Sequence, residues 1–147
     1  MMFAAFFKRV SVGAVLMALL IVAPSAYADV FIEDAWVRAV PPNSRTTAAY
    51  FVVKNNGSEA QVIDRVSASV AGAAEIHDWI ETDGRKTMVR QQQVVVPAGG
   101  EVVLRTGSLH MMLFRLEPVP SQGDQVTICV GLQSGADVCA EAVVRHP

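Results

Sequence analysis

The sequence predicts an all-β domain, an antiparallel β-sandwich or Greek-key barrel, and three observations carry that expectation. Short runs of β-branched and aromatic residues recur along residues 29–147. Turn residues separate them at regular spacing, and the 3.6-residue periodicity of an amphipathic helix is hardly visible. Seven to nine such runs fit into about 120 residues, which is the density of a sandwich or small barrel.

Taken in order, the strands are expected at Asp34 to Val40, Ala48 to Lys54, Gln61 to Ser69, Ala74 to Ile80 and Lys86 to Val96, the last with a break. Glu101 to Arg105, His110 to Leu116, Gln125 to Leu132 and Asp137 to Val144 complete the set. The breakers between them are explicit: Pro41-Pro42-Asn43, Asn55-Asn56-Gly57, Asp83-Gly84, Pro97-Ala98-Gly99-Gly100 and the stretch from Pro118 to Gly123. No internal repeat, low-complexity stretch or long linker interrupts the pattern.

Residues 1–28 read as a cleaved secretory leader. Lys8 and Arg9 form the positive region, Val10 to Val22 the apolar region, and Ala26-Tyr27-Ala28 the small-residue cleavage signal, leaving Asp29 as the new N-terminus. The uncharged run is shorter than the roughly 20 residues a spanning helix needs, and Pro24 closes it. No cysteine lies near the cleavage point to carry a lipid, so the expected location is the periplasm, with no stable membrane insertion after leader removal.

The 119 residues that remain, 29–147, are enough for one domain with its own core. The leader contains Lys8, Arg9 and no acids, so the mature chain holds 10 basic and 14 acidic side chains, a formal charge of −4. Such a chain lacks the basic face a nucleic-acid partner requires. A monomer is expected.

Two hairpins are specified closely enough to place side chains. Asp83-Gly84 is a strong signal for a two-residue type I′ turn, in which residues whose numbers sum to 167 face each other. His77 then pairs with Arg90 and Trp79 with Met88, and all four project from one side. His77 and Met88 become diagonal neighbours, about 7 to 8 Å apart at the backbone, a gap that an imidazole and a thioether can close around a shared ion. Gln133-Ser134-Gly135 suits a three-residue loop, which sets Cys129 directly opposite Cys139. Opposed antiparallel positions lie within disulfide range and export permits oxidation, so a structural disulfide is expected. The rival, a dithiol that relays electrons or copper, lacks the C-x-x-C spacing.

His110 and Met112 lie two apart on one strand and point to one face, while Met111 points to the other, into the core. The chain therefore offers two His-plus-Met pairs: His77 with Met88, and His110 with Met112. Hard cations prefer oxygen, whereas thioether sulfur is soft and favours Cu(I), for which imidazole is also a good ligand. Thioethers also suit an oxidising compartment, because they do not form disulfides.

Ten residues separate His77 from Met88, twenty-one separate Met88 from His110, and one separates His110 from Met112. This spacing resembles the motif of the periplasmic copper chaperones of the PCuAC family. The resemblance extends to Ala35-Trp36-Val37-Arg38, to Thr47-Ala48-Ala49-Tyr50-Phe51 running into Asn55-Asn56-Gly57, and to Val96-Pro97-Ala98-Gly99-Gly100. It implies a cupredoxin-like sandwich that binds one Cu(I) through His77, Met88, His110 and Met112. It further implies delivery for cytochrome c oxidase assembly, to that enzyme's copper-accepting domain, alone or with a thioredoxin-like copper chaperone. Some members carry a tail rich in His and Met that adds a Cu(II) site; here the chain reads Arg145-His146-Pro147, and His146 alone does not build one.

Other function classes fare worse. A blue-copper carrier needs two His, a thiolate and a weak axial Met, yet both cysteines lie downstream of every proposed ligand. Enzyme motifs such as G-x-S-x-G and H-E-x-x-H are absent, and no catalytic turnover is expected. Copper sequestration or tolerance without onward delivery is the alternative that uses the same ligands. Trp79, across from Met88, either shields the ion or is an ordinary surface aromatic.

Overall fold

The computed structural model describes residues 30–147, so the leader expected at residues 1–28, and Asp29, lie outside the described residues. Ten strands form: β1 (Val30–Arg38), β2 (Thr46–Asn55), β3 (Gln61–Ala68), β4 (Ala71–Thr82), β5 (Arg85–Gln91), β6 (Val94–Val96), β7 (Glu101–Leu104), β8 (His110–Leu116), β9 (Gln125–Leu132) and β10 (Asp137–Arg145). They make a cupredoxin-like, all-β domain, and no helix occurs among the described residues.

The strands hydrogen-bond in the order β5-β4-β8-β2-β1-β10-β9-β3-β6, with β7 added onto β2. All pairings are antiparallel except β1 with β10, where Trp36, Val37 and Arg38 run beside Val143, Val144 and Arg145. The sheet curls so that β3 returns beside β4 without pairing to it. A cavity of about 350 Å³ lies in that gap, bordered by Asp64, Arg65, Glu75 and Arg90.

Alternation fills the interior. Val37, Ala49, Phe51, Val53, Ile76, Met111, Leu113, Val126, Ile128 and Val130 all point inward and are almost wholly removed from water. Among the described residues, Asn55 is one of three buried polar ones, with Thr47 and His110, and its amide is hydrogen-bonded on both sides. Its Nδ2 donates to the carbonyls of Glu59 and Val96, and its Oδ1 accepts from the Gly57 amide, which pins the loop after β2.

The expected strands all form, and two of their bounds differ for a physical reason. β1 begins four residues earlier than the alternation suggests. Asp34 sits at φ 52°, and the register shifts between Glu33 and Trp36, so a bulge splits the strand and breaks the period-two pattern. The break expected within Lys86 to Val96 falls at Gln92 and Gln93 and divides that run into β5 and β6. β4 extends to Thr82 because Asp83 and Gly84, at φ 53° and 74°, complete the tight type I′ turn and let both strands pair up to it.

Both predicted registers are observed. His77 pairs with Arg90 and Trp79 with Met88. Cys129 opposes Cys139, and their sulfurs are bonded. Gly135 at φ 101° supplies the left-handed residue of that loop.

Candidate functional site

Strand β8 is the spine of the site, because it lies between β4 and β2 and carries His110 and Met112 on its outer face. On one side His110 faces His77 and Met112 faces Glu75; on the other, Met112 faces Ala48. The small side chain of Ala48 leaves room above the sheet. Next in order, β5 brings Met88 opposite Trp79. The inward partner Met111 is fully buried, as its alternation requires.

Trp79, Met88, His110 and Met112 line one cavity of about 520 Å³, with Arg38 and Tyr50 on its far wall. Its lining is mostly apolar, so thioethers and an imidazole are the donors that stand out. Met88 is 37% exposed and Trp79 39%, whereas His110 is only 5% exposed. The candidate ligands therefore range from a buried imidazole on the central strand to a half-open thioether on the outermost one.

His77 stands just outside this lining. Its ring centroid is 6.3 Å from that of His110, edge to face, and 6.1 Å from that of Phe114. The structure thus gathers three of the four residues expected as ligands in one cavity and sets the fourth directly against His110. Among the described residues no group of three or more His, Cys, Asp and Glu is placed to hold a metal ion, and the side chains gathered here are imidazoles and thioethers.

The local chain explains how His110 is held. Residues 105–109 form a tight turn, with the Arg105 amide donating to the Leu109 carbonyl and the Ser108 amide to that of Arg105. Gly107, at φ 79°, permits it. The turn presents the Ser108 carbonyl 2.6 Å from His110 Nδ1. A carbonyl only accepts, so Nδ1 carries a proton, and in the neutral ring the lone pair is then on Nε2.

His77 has different surroundings. Its Nε2 lies 3.0 Å from Glu75 Oε2, and Glu75 Oε1 lies 3.1 Å from the Arg90 guanidinium. His77 Nδ1 is buried and has no hydrogen-bond partner. Sequence reasoning did not single out Glu75 or Ser108. Glu75 was within reach, since it lies two residues before His77 on the same strand and so shares its face. The Ser108 carbonyl was not, because a backbone acceptor leaves no mark in residue type.

Beside the cavity, Arg145, Trp36, Tyr50 and Arg38 form a stacked column. Trp36 and Tyr50 have ring centroids 4.5 Å apart, the Arg145 guanidinium lies 4.6 Å from the Trp36 centroid, and that of Arg38 lies 5.6 Å from the Tyr50 centroid. This column stiffens the β1–β2 wall.

The model of the family described as "Putative lipoprotein LpqE-like" matches residues 30–144. A protein described as "Putative lipoprotein" from Leifsonia xyli subsp. xyli is 30% identical over 115 residues, spanning 77% of this chain and 68% of its own. Among solved structures, the copper-bound PCuAC domain from PmoF2 superposes with a TM-score of 0.66 at 18% identity, covering 80% of this chain and 93% of that domain. Apo-DR1885 from Deinococcus radiodurans gives 0.63 at 22% identity, covering 99% of this chain and 95% of its own. The Cu(I) form of DR1885 gives 0.59 at 24%, covering 80% and 77%. At these identities the likeness to solved structures establishes a shared fold.

Proposed function

The chain belongs to the LpqE-like family, and from that premise we propose that it is a copper-binding, chaperone-like protein that holds one Cu(I) through His77, Met88, His110 and Met112. The observation that carries this reading is the convergence of Met88, His110 and Met112 on one cavity, with His77 paired to His110 and bearing a buried, unpartnered nitrogen. An orphaned ring nitrogen in a protein interior costs free energy unless something binds it, and a soft cation is a suitable partner. Two of the structures that share the fold are described as copper-bound or Cu(I) forms.

The chemistry of the set suits holding and passing an ion. Two imidazoles anchor it, and two neutral thioethers, one of them half-exposed on an outer strand, complete the shell. An incoming donor replaces Met88 or Met112 first, so copper moves by ligand exchange without leaving a coordinated state. The destination we propose is a copper-accepting domain of cytochrome c oxidase, with a thioredoxin-like copper chaperone as a second participant.

The location we propose is the periplasm. The apolar leader favours export, as does kinship with a family described as lipoproteins. Both cysteines of the sequence are joined in the Cys129–Cys139 bridge, which suits an oxidising compartment.

Competition for Cu(I) against a chromophoric chelator tests the reading, on the parent and on His110→Ala. One tightly held ion in the parent and clear weakening in the variant support it. Binding that ignores His110 rejects it. Transfer to an apo oxidase copper domain, followed by chromatography, then separates delivery from sequestration.

A further inference from the structure

We propose that Glu75 is a positioning residue that fixes the His77 tautomer, so that His77 offers Nδ1 to the ion while His110 offers Nε2. This inference rests on the copper reading above. It deepens that reading by assigning the donor atom of each ring and the group that selects it.

The argument begins with what each neighbour is able to do. An ionised carboxylate only accepts hydrogen bonds, so the 3.0 Å contact between Glu75 Oε2 and His77 Nε2 requires the ring to donate there. In the neutral ring the proton is then on Nε2 and the lone pair on Nδ1. Nδ1 is the buried atom without a partner. His110 is the mirror case, with Nδ1 donating to the Ser108 carbonyl at 2.6 Å and Nε2 left free. Two histidines paired across adjacent strands therefore present opposite ring nitrogens.

Glu75 is itself oriented. The Arg90 guanidinium sits 3.1 Å from Glu75 Oε1, so the carboxylate spans from Arg90 on β5 to His77 on β4. Arg90 faces His77 directly in the strand register, which puts the clamp on the same outer face as the donors. The arginine side chain is 53% exposed and the glutamate 29%, so the ion pair contributes orientation more than stability. A carboxylate behind a ligating histidine holds the ring angle and raises the basicity of the donor nitrogen. Removal of such a partner typically costs about 10- to 100-fold in metal affinity.

The arrangement orders the variants. Glu75→Gln keeps a carbonyl acceptor for Nε2 and retains much of the positioning. Glu75→Leu keeps the bulk and removes the acceptor, so it frees both tautomer and ring. Arg90→Ala leaves the acceptor in place, and its effect is the smallest of the three.

The test is a long-range ¹H–¹⁵N correlation spectrum of histidine-labelled, metal-free protein at neutral pH, followed by titration with Cu(I), which is diamagnetic. The expected result is the Nε2–H form at His77 and the Nδ1–H form at His110. On titration the large ¹⁵N shifts then fall on His77 Nδ1 and His110 Nε2. Glu75→Leu gives mixed tautomers at His77 and about 10- to 100-fold weaker Cu(I) binding by chelator competition, with Glu75→Gln in between. A parent His77 in the Nδ1–H form overturns the proposal, as does a Cu(I)-induced shift on its Nε2. So does Glu75→Leu with parental tautomer and affinity. Absence of Cu(I) binding by the parent instead rejects the proposed function, while the metal-free spectrum still decides whether Glu75 sets the tautomer.

Discussion

His77 and His110 stand directly opposite each other across the β4–β8 pairing, with ring centroids 6.3 Å apart, yet they are tied back by different nitrogens to different acceptors. Each ring is held by one hydrogen bond. Under the proposed copper reading the pair is the two-nitrogen anchor that the thioethers complete.

On that basis His110→Ala weakens Cu(I) binding more than loss of any outer partner, by over about 100-fold, since outer partners are worth roughly 10- to 100-fold. Chelator competition measures it. An effect no larger than that of Arg90→Ala would remove His110 from the donor set.

Met111 and Met112 are adjacent in sequence and opposite in role. Met111 is fully buried, so Met111→Ala lowers unfolding free energy by about 2 to 5 kcal/mol in urea titration and leaves Cu(I) affinity near the parent's. Met112 faces the cavity, and Met112→Ala does the reverse. If both variants shift the same quantity, the two faces of β8 are not separate in function.

Trp79 lines the cavity beside Met88, whereas Trp36 is stacked between Tyr50 and the Arg145 guanidinium. Cu(I) loading therefore quenches Trp79 emission and leaves Trp36 almost untouched. Loss of the copper-induced change in Trp79→Phe, with the change retained in Trp36→Phe, is the expected pattern in steady-state fluorescence.

The Cys129–Cys139 bridge joins β9 to β10, which the sheet order keeps away from β8 and β4. The double variant Cys129→Ala/Cys139→Ala loses about 2 to 3 kcal/mol of stability, as expected for a short closed loop. Its Cu(I) affinity matches the parent's. A matched loss of affinity in the same titrations would instead tie the bridge to the site.

What was legible in the sequence was whatever local chemistry determines. Asp83-Gly84 dictates a turn type, the turn type dictates a register, and the register sets His77 against Arg90 and Trp79 against Met88. The same reasoning set Cys129 against Cys139. Alternation separated Met111 from Met112. What stayed hidden was non-local or carried by backbone. The insertion of β8 between β4 and β2 sets His110 against His77, and no short-range signal encodes it. The parallel pairing of β1 with β10 joins the two ends of the domain. The bulge at Asp34 depends on a positive φ at a residue that is not glycine, which composition does not announce.

Strand β5 ends the sheet and, among the described residues, has β4 as its one hydrogen-bonded neighbour. Edge strands open at lower free energy than central ones, because one row of hydrogen bonds and little buried surface hold them. Met88 rides on this strand, while His110 and Met112 sit on β8, locked on both sides. Under the proposed copper reading, fraying of the β4–β5 hairpin would withdraw the Met88 thioether alone, without loosening the hydrophobic core, because β5 is exposed along nearly its whole length. The hairpin would then be a latch whose stiffness is set at its solvent-facing positions rather than by the packing of the domain.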